Sequence, residues 1–184
     1  MESTPESLLR KTGALLDGHF QLSSGLHSPM YVEKFRLLEQ PTYTEQLCHL
    51  IANHFREYNV DVVAGPTTGG IIISYEIANQ LGVRGIFAES NQDGRQFDRG
   101  FQITQGERVL IVDDVLTTGK SIKDVVSAVR DIGGNPIGIG VLVNRSKNEL
   151  QIDLPLFSCL DIELPTYNPE ECHLCKNNIS LTQT

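Results

Sequence analysis

Short apolar runs alternate with amphipathic stretches along most of the chain. The runs are rich in β-branched residues and lack in-out alternation; they cover residues 60–64, 83–88, 109–112 and 137–143. Between them, residues 71–81 and 121–132 place apolar side chains at helical spacing. Continuously apolar strands are typical of a parallel sheet covered on both faces. The pattern predicts an α/β fold, a doubly wound parallel sheet flanked by helices, with an antiparallel α+β domain as the alternative.

The pattern before residue 60 is less regular. Thr4 and Pro5 predict the start of a first helix, which would carry Leu8, Leu9, Leu15 and Leu16. Residues 18–35 mix Gly, Ser, His and Pro with apolar side chains, which predicts short strands joined by turns. Thr42 and Glu45 have the spacing of a capping box, so a second helix is predicted from about 42 to 58.

Length and charge narrow the classes of function. The chain has 184 residues, which predicts a single domain spanning 1–184. Its formal net charge of −8 provides no broad cationic surface, so a nucleic-acid partner is not expected. The longest apolar run, around residues 70–74, is too short for a membrane helix. Residues 1–6 are acidic and do not resemble a secretory signal, so we expect a soluble cytoplasmic protein with reduced cysteines.

One segment carries the most chemical information. The apolar run 109–112 leads directly into Asp113 and Asp114, and a Thr/Gly/Ser loop follows and opens a helix. Backbone amides, the helix dipole and the hydroxyls of Thr117, Thr118 and Ser121 suit a phosphate monoester. The two carboxylates repel phosphate but accept hydrogen bonds from vicinal hydroxyls, or hold Mg²⁺ directly or through water or substrate. A ribose 5-phosphate fits both halves; the alternative is that the acids only end the strand and cap the helix.

This segment resembles a known family. Residues 109–121 are similar to the phosphoribosyl pyrophosphate motif of type I phosphoribosyltransferases. Residues 18–28, 65–70, 99–101, 144–146 and 164–175 resemble the orotate phosphoribosyltransferases within that group, so the resemblance covers the chain from about Leu15 onward. It implies the type I phosphoribosyltransferase fold, with a small N-terminal hood over about residues 1–40 and a C-terminal tail from about residue 165.

The resemblance also implies an activity. The family transfers ribose 5-phosphate from phosphoribosyl pyrophosphate to orotate, which yields orotidine 5′-monophosphate and pyrophosphate in pyrimidine (UMP) biosynthesis. It implies Mg²⁺ as cofactor, a homodimer and a cytoplasmic location. Two alternatives stay open: a purine phosphoribosyltransferase, and a regulator that binds phosphoribosyl pyrophosphate without catalysis.

Site residues follow from the resemblance by motif position. Asp113 and Asp114 would hold the ribose hydroxyls and the metal, and Arg145 would bind the orotate carboxylate unless it is a plain surface arginine. The 5′-phosphate would be held by Val115, Leu116, Thr117, Thr118, Gly119, Lys120 and Ser121, with Thr117 also contacting orotate. Thr67, Thr68, Gly69 and Gly70 would form the pyrophosphate loop; the alternative is a tight strand-to-helix turn without a ligand. His27 and Lys34 are candidates for anion contact in the hood, or else structural or solvated side chains.

The stretch 89–100 departs from the family pattern. Better-known members carry a mobile, lysine-rich loop with a histidine here, whereas this stretch has neither residue type. Its only cations are Arg95 and Arg99, against Glu89, Asp93 and Asp98. We hypothesise that the two arginines take over the contact with pyrophosphate; the alternative is a loop that contributes less to turnover.

Cys172 and Cys175 have the spacing of half a zinc site. Cys48 and Cys159 are isolated in the sequence, so the other half is missing. A bound structural zinc is therefore not expected unless two subunits share it.

Overall fold

The structure is a computed structural model that describes residues 4–92, 94–146 and 151–184; residues 1–3 of the predicted hood and Asp93 of the 89–100 stretch lie outside this range. Its elements in chain order are α1 (Pro5–Lys11), β1 (Leu15–Gln21), β2 (His27–Val32), α2 (Phe35–Leu38), α3 (Pro41–Phe55), β3 (Val62–Pro66), α4 (Gly69–Leu81), β4 (Arg84–Asn91), β5 (Gly94–Gln96), β6 (Arg108–Leu116), α5 (Lys120–Asp131), β7 (Asn135–Asn144), β8 (Leu156–Asp161), α6 (His173–Lys176) and β9 (Thr182–Gln183). Among the described residues, no helix has the length and apolar character needed to cross a bilayer.

A six-stranded sheet forms the centre of the molecule. Its strand order is β5-β4-β3-β6-β7-β8, and all neighbours pair in parallel except β5, which is antiparallel to β4. Strand β6 is buried on both faces: Leu110 and Val112 pack in a core cluster with α3 and α4, while Val109 and Ile111 pack in a second cluster with α5. The predicted doubly wound α/β fold is confirmed, and the antiparallel alternative is wrong.

A second, three-stranded sheet has the order β2-β1-β9; β1 and β2 belong to the N-terminal hood, and β9 comes from the C-terminal segment. Strands β1 and β2 form an antiparallel pair, and β9 adds in parallel to β1 at Phe20 and Gln21. The backbone of His27 also pairs with that of Tyr167. The segment after residue 165 therefore returns to the hood.

Two sequence-based boundaries in the first 60 residues are wrong. The first helix is capped by Thr4 as predicted, but it ends at Lys11 because Gly13 adopts a φ of 71°, and Leu15 and Leu16 belong to β1. Thr42 and Glu45 form no capping box. Pro41 occupies the first helical turn, so Gln40 precedes the helix and Thr42 already lies within it.

The remaining elements lie close to their predicted positions. Helix α3 ends at Phe55, and a 3₁₀ turn over Arg56–Tyr58 accounts for the rest of the predicted helix. Helix α4 begins at Gly69, two residues before its first apolar side chain, and ends at Gly82 in the left-handed conformation. Helix α4 therefore begins directly at the loop that follows β3.

Candidate active site

A cavity of about 680 Å³ lies between the hood and the carboxyl ends of β3 and β6. Parallel strands end at the same edge of a sheet, so the loops that follow them meet there. Eleven of the predicted site residues line this cavity: Lys34, Thr67, Thr68, Gly69, Asp113, Asp114, Val115, Thr117, Thr118, Ser121 and Arg145. The structure thus brings together residues that are up to 111 positions apart in the chain.

Asp113 and Asp114 are both buried at the end of β6. Asp113 Oδ1 accepts a hydrogen bond from the Asp114 N–H at 2.8 Å, and Asp114 Oδ1 accepts one from the Val115 N–H at 2.6 Å. Lys34, from the hood, donates to Asp114 Oδ1 at 3.0 Å and places its Nζ 2.9 Å from Oδ2. Lys34 therefore neutralises one of the two acids and ties the hood to the sheet.

The environment of Asp113 disfavours its charged form. Burial and the neighbouring Asp114 carboxylate raise the pKa of Asp113 from 3.8 to about 7, although the Asp114 N–H, Lys34 and Arg95 oppose the shift. The folded chain therefore binds this proton more tightly than the unfolded chain does. Between about pH 4 and pH 7, this group lowers the free energy of unfolding as the pH rises.

Replacing Asp113 with Asn is expected to raise the melting temperature by about 4 °C at pH 8 and by much less at pH 5, because the charge it removes is present only at the higher pH. The asparagine Oδ1 can still accept the Asp114 N–H. Thermal unfolding followed by circular dichroism without added Mg²⁺ measures the effect. Asp124→Asn serves as the control, because Asp124 lies outside the acid pair and is half-buried in an ion pair with the exposed Lys120. A stabilisation by Asp113→Asn that is equal at both pH values would contradict the raised pKa.

The loop after β6 is shaped for an anion. Residues 115–122 line a second, smaller cavity of about 40 Å³ beside the acids. Gly119 has a φ of 75° and lets the chain turn sharply into α5, whose first turn presents N–H groups that no helical carbonyl accepts. The Lys120 side chain instead pairs with Asp124 at 2.7 Å on the helix exterior. Backbone donors and hydroxyls, rather than the lysine ammonium, are therefore what this loop offers to a phosphate.

The loop after β3 packs directly against the acid pair. A Cβ at position 69 would overlap Asp114 Oδ2, and a Cβ at position 65 would overlap the Gly70 carbonyl. Only glycine fits at both positions without displacing the acid or the start of α4. This close packing places Thr67 and Thr68 on the wall of the cavity.

The two arginines of the 89–100 stretch have different surroundings. Arg95, on β5, donates to Thr67 Oγ1 at 3.1 Å and to the Ala88 carbonyl at 3.0 Å, and its Nη2 lies 3.5 Å from Ser121 Oγ. It therefore bridges the two loops that follow β3 and β6. Arg99 forms a two-bond ion pair with Glu89, both N···O distances being 2.9 Å, and stays exposed.

Arg145 follows β7 and is anchored by its N–H, which donates to the Leu116 carbonyl at 2.8 Å. Its side chain lines the cavity, and burial lowers the pKa of its guanidinium. The buried Nε has no hydrogen-bond partner in the part of the chain that the structure describes. A buried unpaired donor of this kind is costly, so the position suits an anionic group of a ligand.

Sequence reasoning missed several residues that line the cavity, Tyr31 and Thr184 among them, and misplaced one. Tyr31 and Thr184 line the cavity, and Thr184 reaches it only because β9 pairs with β1, for which the local pattern carries no signal. His27 does not line the cavity, so of the two alternatives for His27 the structure favours the structural side chain over the anion contact. Its side chain is buried elsewhere in the hood, beside His19 and Cys175.

Comparisons with known proteins agree with this geometry. Residues 36–174 match the family model described as a phosphoribosyl transferase domain. Over 173 residues, the chain is 46% identical to an orotate phosphoribosyltransferase of Pelotomaculum thermopropionicum, with 94% of this chain and 91% of the relative covered. The chain belongs to the orotate phosphoribosyltransferase family. A family member from Caldanaerobacter subterraneus subsp. tengcongensis is 43% identical over 176 residues, with 96% of this chain and 93% of the relative covered.

A solved orotate phosphoribosyltransferase has the same fold. The crystal structure of the enzyme from Aeropyrum pernix superimposes with a TM-score of 0.70 at 29% identity, covering 84% of this chain and 92% of that one. Both the resemblance to the orotate phosphoribosyltransferases and the type I phosphoribosyltransferase fold predicted from it are therefore confirmed.

Proposed function

We propose that this chain transfers ribose 5-phosphate from phosphoribosyl pyrophosphate to orotate, forming orotidine 5′-monophosphate and pyrophosphate in pyrimidine biosynthesis. One observation carries the proposal. A single cavity is lined by the loop after β6 with Thr117, Thr118 and Ser121 (the threonine loop), by the acid pair, and by the Arg145 guanidinium, whose Nε has no partner among the described residues. These groups match a phosphate, a ribose diol and the carboxylate of a base, respectively. The names of the relatives support the same reaction.

In the proposed reaction, the bond from ribose C1 to pyrophosphate breaks with its electron pair leaving on pyrophosphate. The orotate nitrogen then forms a bond to C1 and releases its proton. Asp113 and Asp114 hold the ribose hydroxyls and stabilise the positive charge that develops on the ring. The threonine loop holds the 5′-phosphate, and Arg145 orients orotate through its carboxylate.

The donors at the acid pair fit Mg²⁺ only together with the substrate. Both Asp114 oxygens lie within 3.0 Å of Lys34 Nζ, and Asp113 Oδ1 accepts the Asp114 N–H. Asp113 Oδ2 takes no part in these contacts and is the remaining carboxylate oxygen. Mg²⁺ is commonly held by one or two carboxylates together with substrate oxygens, so Asp113, with Asp114 acting directly or through water, would hold it. When bound, the ion would offset negative charge on the departing pyrophosphate.

The two arginines of the 89–100 stretch provide a matched pair of variants. Arg95→Ala is expected to raise the KM for phosphoribosyl pyrophosphate about tenfold, because Arg95 holds Thr67 and adds positive charge beside the proposed pyrophosphate loop. Arg99→Ala is expected to change it by less than about twofold, because Arg99 is an exposed partner of Glu89. Initial rates at saturating orotate measure both. Equal effects of the two variants on this KM would contradict different roles for Arg95 and Arg99 and would support the hypothesis that both arginines contact pyrophosphate.

An absorbance assay tests the proposed function. Incubation with Mg²⁺, phosphoribosyl pyrophosphate and orotate should consume the orotate absorbance, whereas adenine, guanine and hypoxanthine should give no nucleotide. Turnover of a purine base instead would favour the purine phosphoribosyltransferase. Tight binding of phosphoribosyl pyrophosphate with no turnover of any base would favour the regulator.

We also propose that the chain acts as a homodimer in the cytoplasm. Ile72 and Tyr75 lie about one turn apart on α4 and are 41% and 72% exposed, so together they form an exposed apolar pair that supports a partner surface there. None of the four cysteines is in a disulfide, which is consistent with a reducing compartment. Sedimentation equilibrium measures the assembly, and a monomer at micromolar concentration would contradict the dimer.

A further inference from the structure

Four potential metal ligands meet on the hood, apart from the active-site cavity. They are His19 on β1, His27 on β2, and Cys172 and Cys175 at the start and within the turn of α6. One ligand atom from each lies within 4.8 Å of all the others, and His19, His27 and Cys172 are buried. None of the four lines the cavity that contains the acid pair. The tertiary structure thus supplies the half of the site that is missing from the sequence around the cysteines.

The distances among these atoms suit a tetrahedral ion. Cys172 Sγ lies 3.5 Å from His19 Nε2, and Cys175 Sγ lies 3.3 Å from His27 Nδ1. His19 Nε2 lies 3.0 Å from His27 Nδ1 and 3.7 Å from Cys175 Sγ. With zinc bonds of about 2.0 Å to nitrogen and 2.3 Å to sulfur, neighbouring ligand atoms of a tetrahedron are about 3–4 Å apart. Four of the six distances therefore fall in the range expected for a tetrahedral zinc site, and the other two are at most 4.8 Å.

The second ring nitrogen of His19 provides an independent observation. His19 Nδ1 lies 2.8 Å from the Ile179 carbonyl oxygen, which can only accept a hydrogen bond. In the neutral imidazole the proton is therefore on Nδ1, which leaves the lone pair of Nε2 directed at the two cysteines. Zinc-bound histidines characteristically donate their other N–H to a carbonyl or carboxylate in this way.

The segment that follows the cysteines needs an anchor. Residues 175–184 are all exposed, and the only regular structure among residues 177–184 is the two-residue strand β9. Such a stretch buries too little apolar surface to offset the conformational entropy of ordering its backbone. It nevertheless pairs with β1 and carries Thr184 to the edge of the active-site cavity. A bond between this segment and the hood through a metal ion would account for its order.

We propose that His19, His27, Cys172 and Cys175 bind one zinc ion within a single chain, and that this ion fastens residues 172–184 to the hood beside the active site. Two thiolates and two imidazoles are the ligand set of structural zinc, and they discriminate against Mg²⁺, which prefers oxygen. With all four positions occupied by protein, no site is left for substrate, so the ion is structural. From the sequence alone, a bound zinc is expected only if two subunits share it. Because one chain provides four ligands, such sharing is not required.

Metal content of the full chain tests the proposal directly. Protein purified without chelator and analysed by inductively coupled plasma mass spectrometry should hold about one zinc per chain. Cys172→Ser and Cys175→Ser should lose most of it. Two controls should retain it: His173→Gln, because His173 lies between the cysteines but outside the cluster, and Cys159→Ser, because the Cys159 thiol contacts the Leu47 carbonyl instead.

A measurement on the unaltered chain guards against variants that fail to fold. After exchange of zinc for Co²⁺, the native protein should show the visible absorption of tetrahedral cobalt with thiolate ligands. Removal of the metal by a chelator should increase proteolytic cleavage within residues 176–184 about tenfold, and added Zn²⁺ should reverse the increase.

Four results would overturn the proposal. They are a native chain that holds no zinc even after incubation with it, one zinc per two chains, equal zinc loss from His173→Gln and Cys172→Ser, and a Cys172–Cys175 disulfide found by mass spectrometry in protein kept under reducing conditions. None of these outcomes depends on whether the chain uses orotate.

Discussion

Replacing Asp113 and Asp114 together with asparagine is expected to lower kcat by about 10³-fold in the assay that follows loss of orotate absorbance, because the substitutions remove the negative charge that stabilises the ribose as it becomes positive. The two carboxylates are buried and held by the Asp114 and Val115 N–H groups, so they do not need to reorganise when that charge develops. Asparagine keeps the size of each side chain and an oxygen for each backbone bond. The expected loss is therefore one of charge rather than of shape.

Measuring the stability of the variants shows whether a loss of kcat comes from the lost charge or from misfolding. Burial and Asp114 raise the pKa of Asp113, so its single replacement should stabilise the fold above pH 7 while activity falls. Asp124→Asn, on the exterior of α5, should leave kcat within about twofold of the native value. A double variant that retains kcat within about tenfold of the native value would remove the acids from the proposed mechanism.

Replacing Arg145 with alanine is expected to raise the KM for orotate about 100-fold and to leave the KM for phosphoribosyl pyrophosphate nearly unchanged. The guanidinium is partly buried, and its Nε has no partner among residues 4–92, 94–146 and 151–184, so its donors are available for a carboxylate without breaking a bond within the protein. Loss of a charge-assisted pair in such a setting typically costs about 2–3 kcal/mol, which corresponds to this change in KM.

Arg145→Lys provides the conservative comparison. Lysine keeps the positive charge but presents a single ammonium instead of the planar fork, so it should recover only part of the affinity for orotate. A second comparison replaces orotate with uracil, which lacks the carboxylate. The native enzyme should discriminate strongly against uracil, and Arg145→Ala should discriminate little. An unchanged KM for orotate in Arg145→Ala would show that the arginine does not contact that substrate.

The signals that succeeded in the sequence are local. Strand β6, the two acids, the threonine loop and the start of α5 are consecutive in the chain, so their relation in space follows from short-range geometry. The same holds for Arg145, which directly follows β7. To predict that these loops converge, only one further rule was needed: parallel strands end at one edge of the sheet.

The sequence patterns that gave wrong predictions were overridden by a neighbouring residue or by a pairing partner elsewhere in the chain. Thr42 has the right spacing for a cap, but Pro41 precedes it and begins the helix. Leu15 and Leu16 continue the apolar pattern of α1, yet Gly13 ends the helix and the pair with β2 takes them into a strand. In each case a neighbouring residue or a pairing partner overrides a pattern that is correct by itself.

The sequence by itself determined the layered α/β architecture and the acid-and-threonine segment, since both depend on the order of residues over a few turns or strands. Only the tertiary structure decided that Lys34 neutralises Asp114, that Arg95 and not Arg99 reaches the loops, and that His19 and His27 join Cys172 and Cys175. These pairs are separated by 26 to 156 residues, and their contacts depend on how the hood and the segment after residue 165 fold back on the sheet. Local patterns carry no information about such closures, because the free energy that selects them comes from packing of the whole chain.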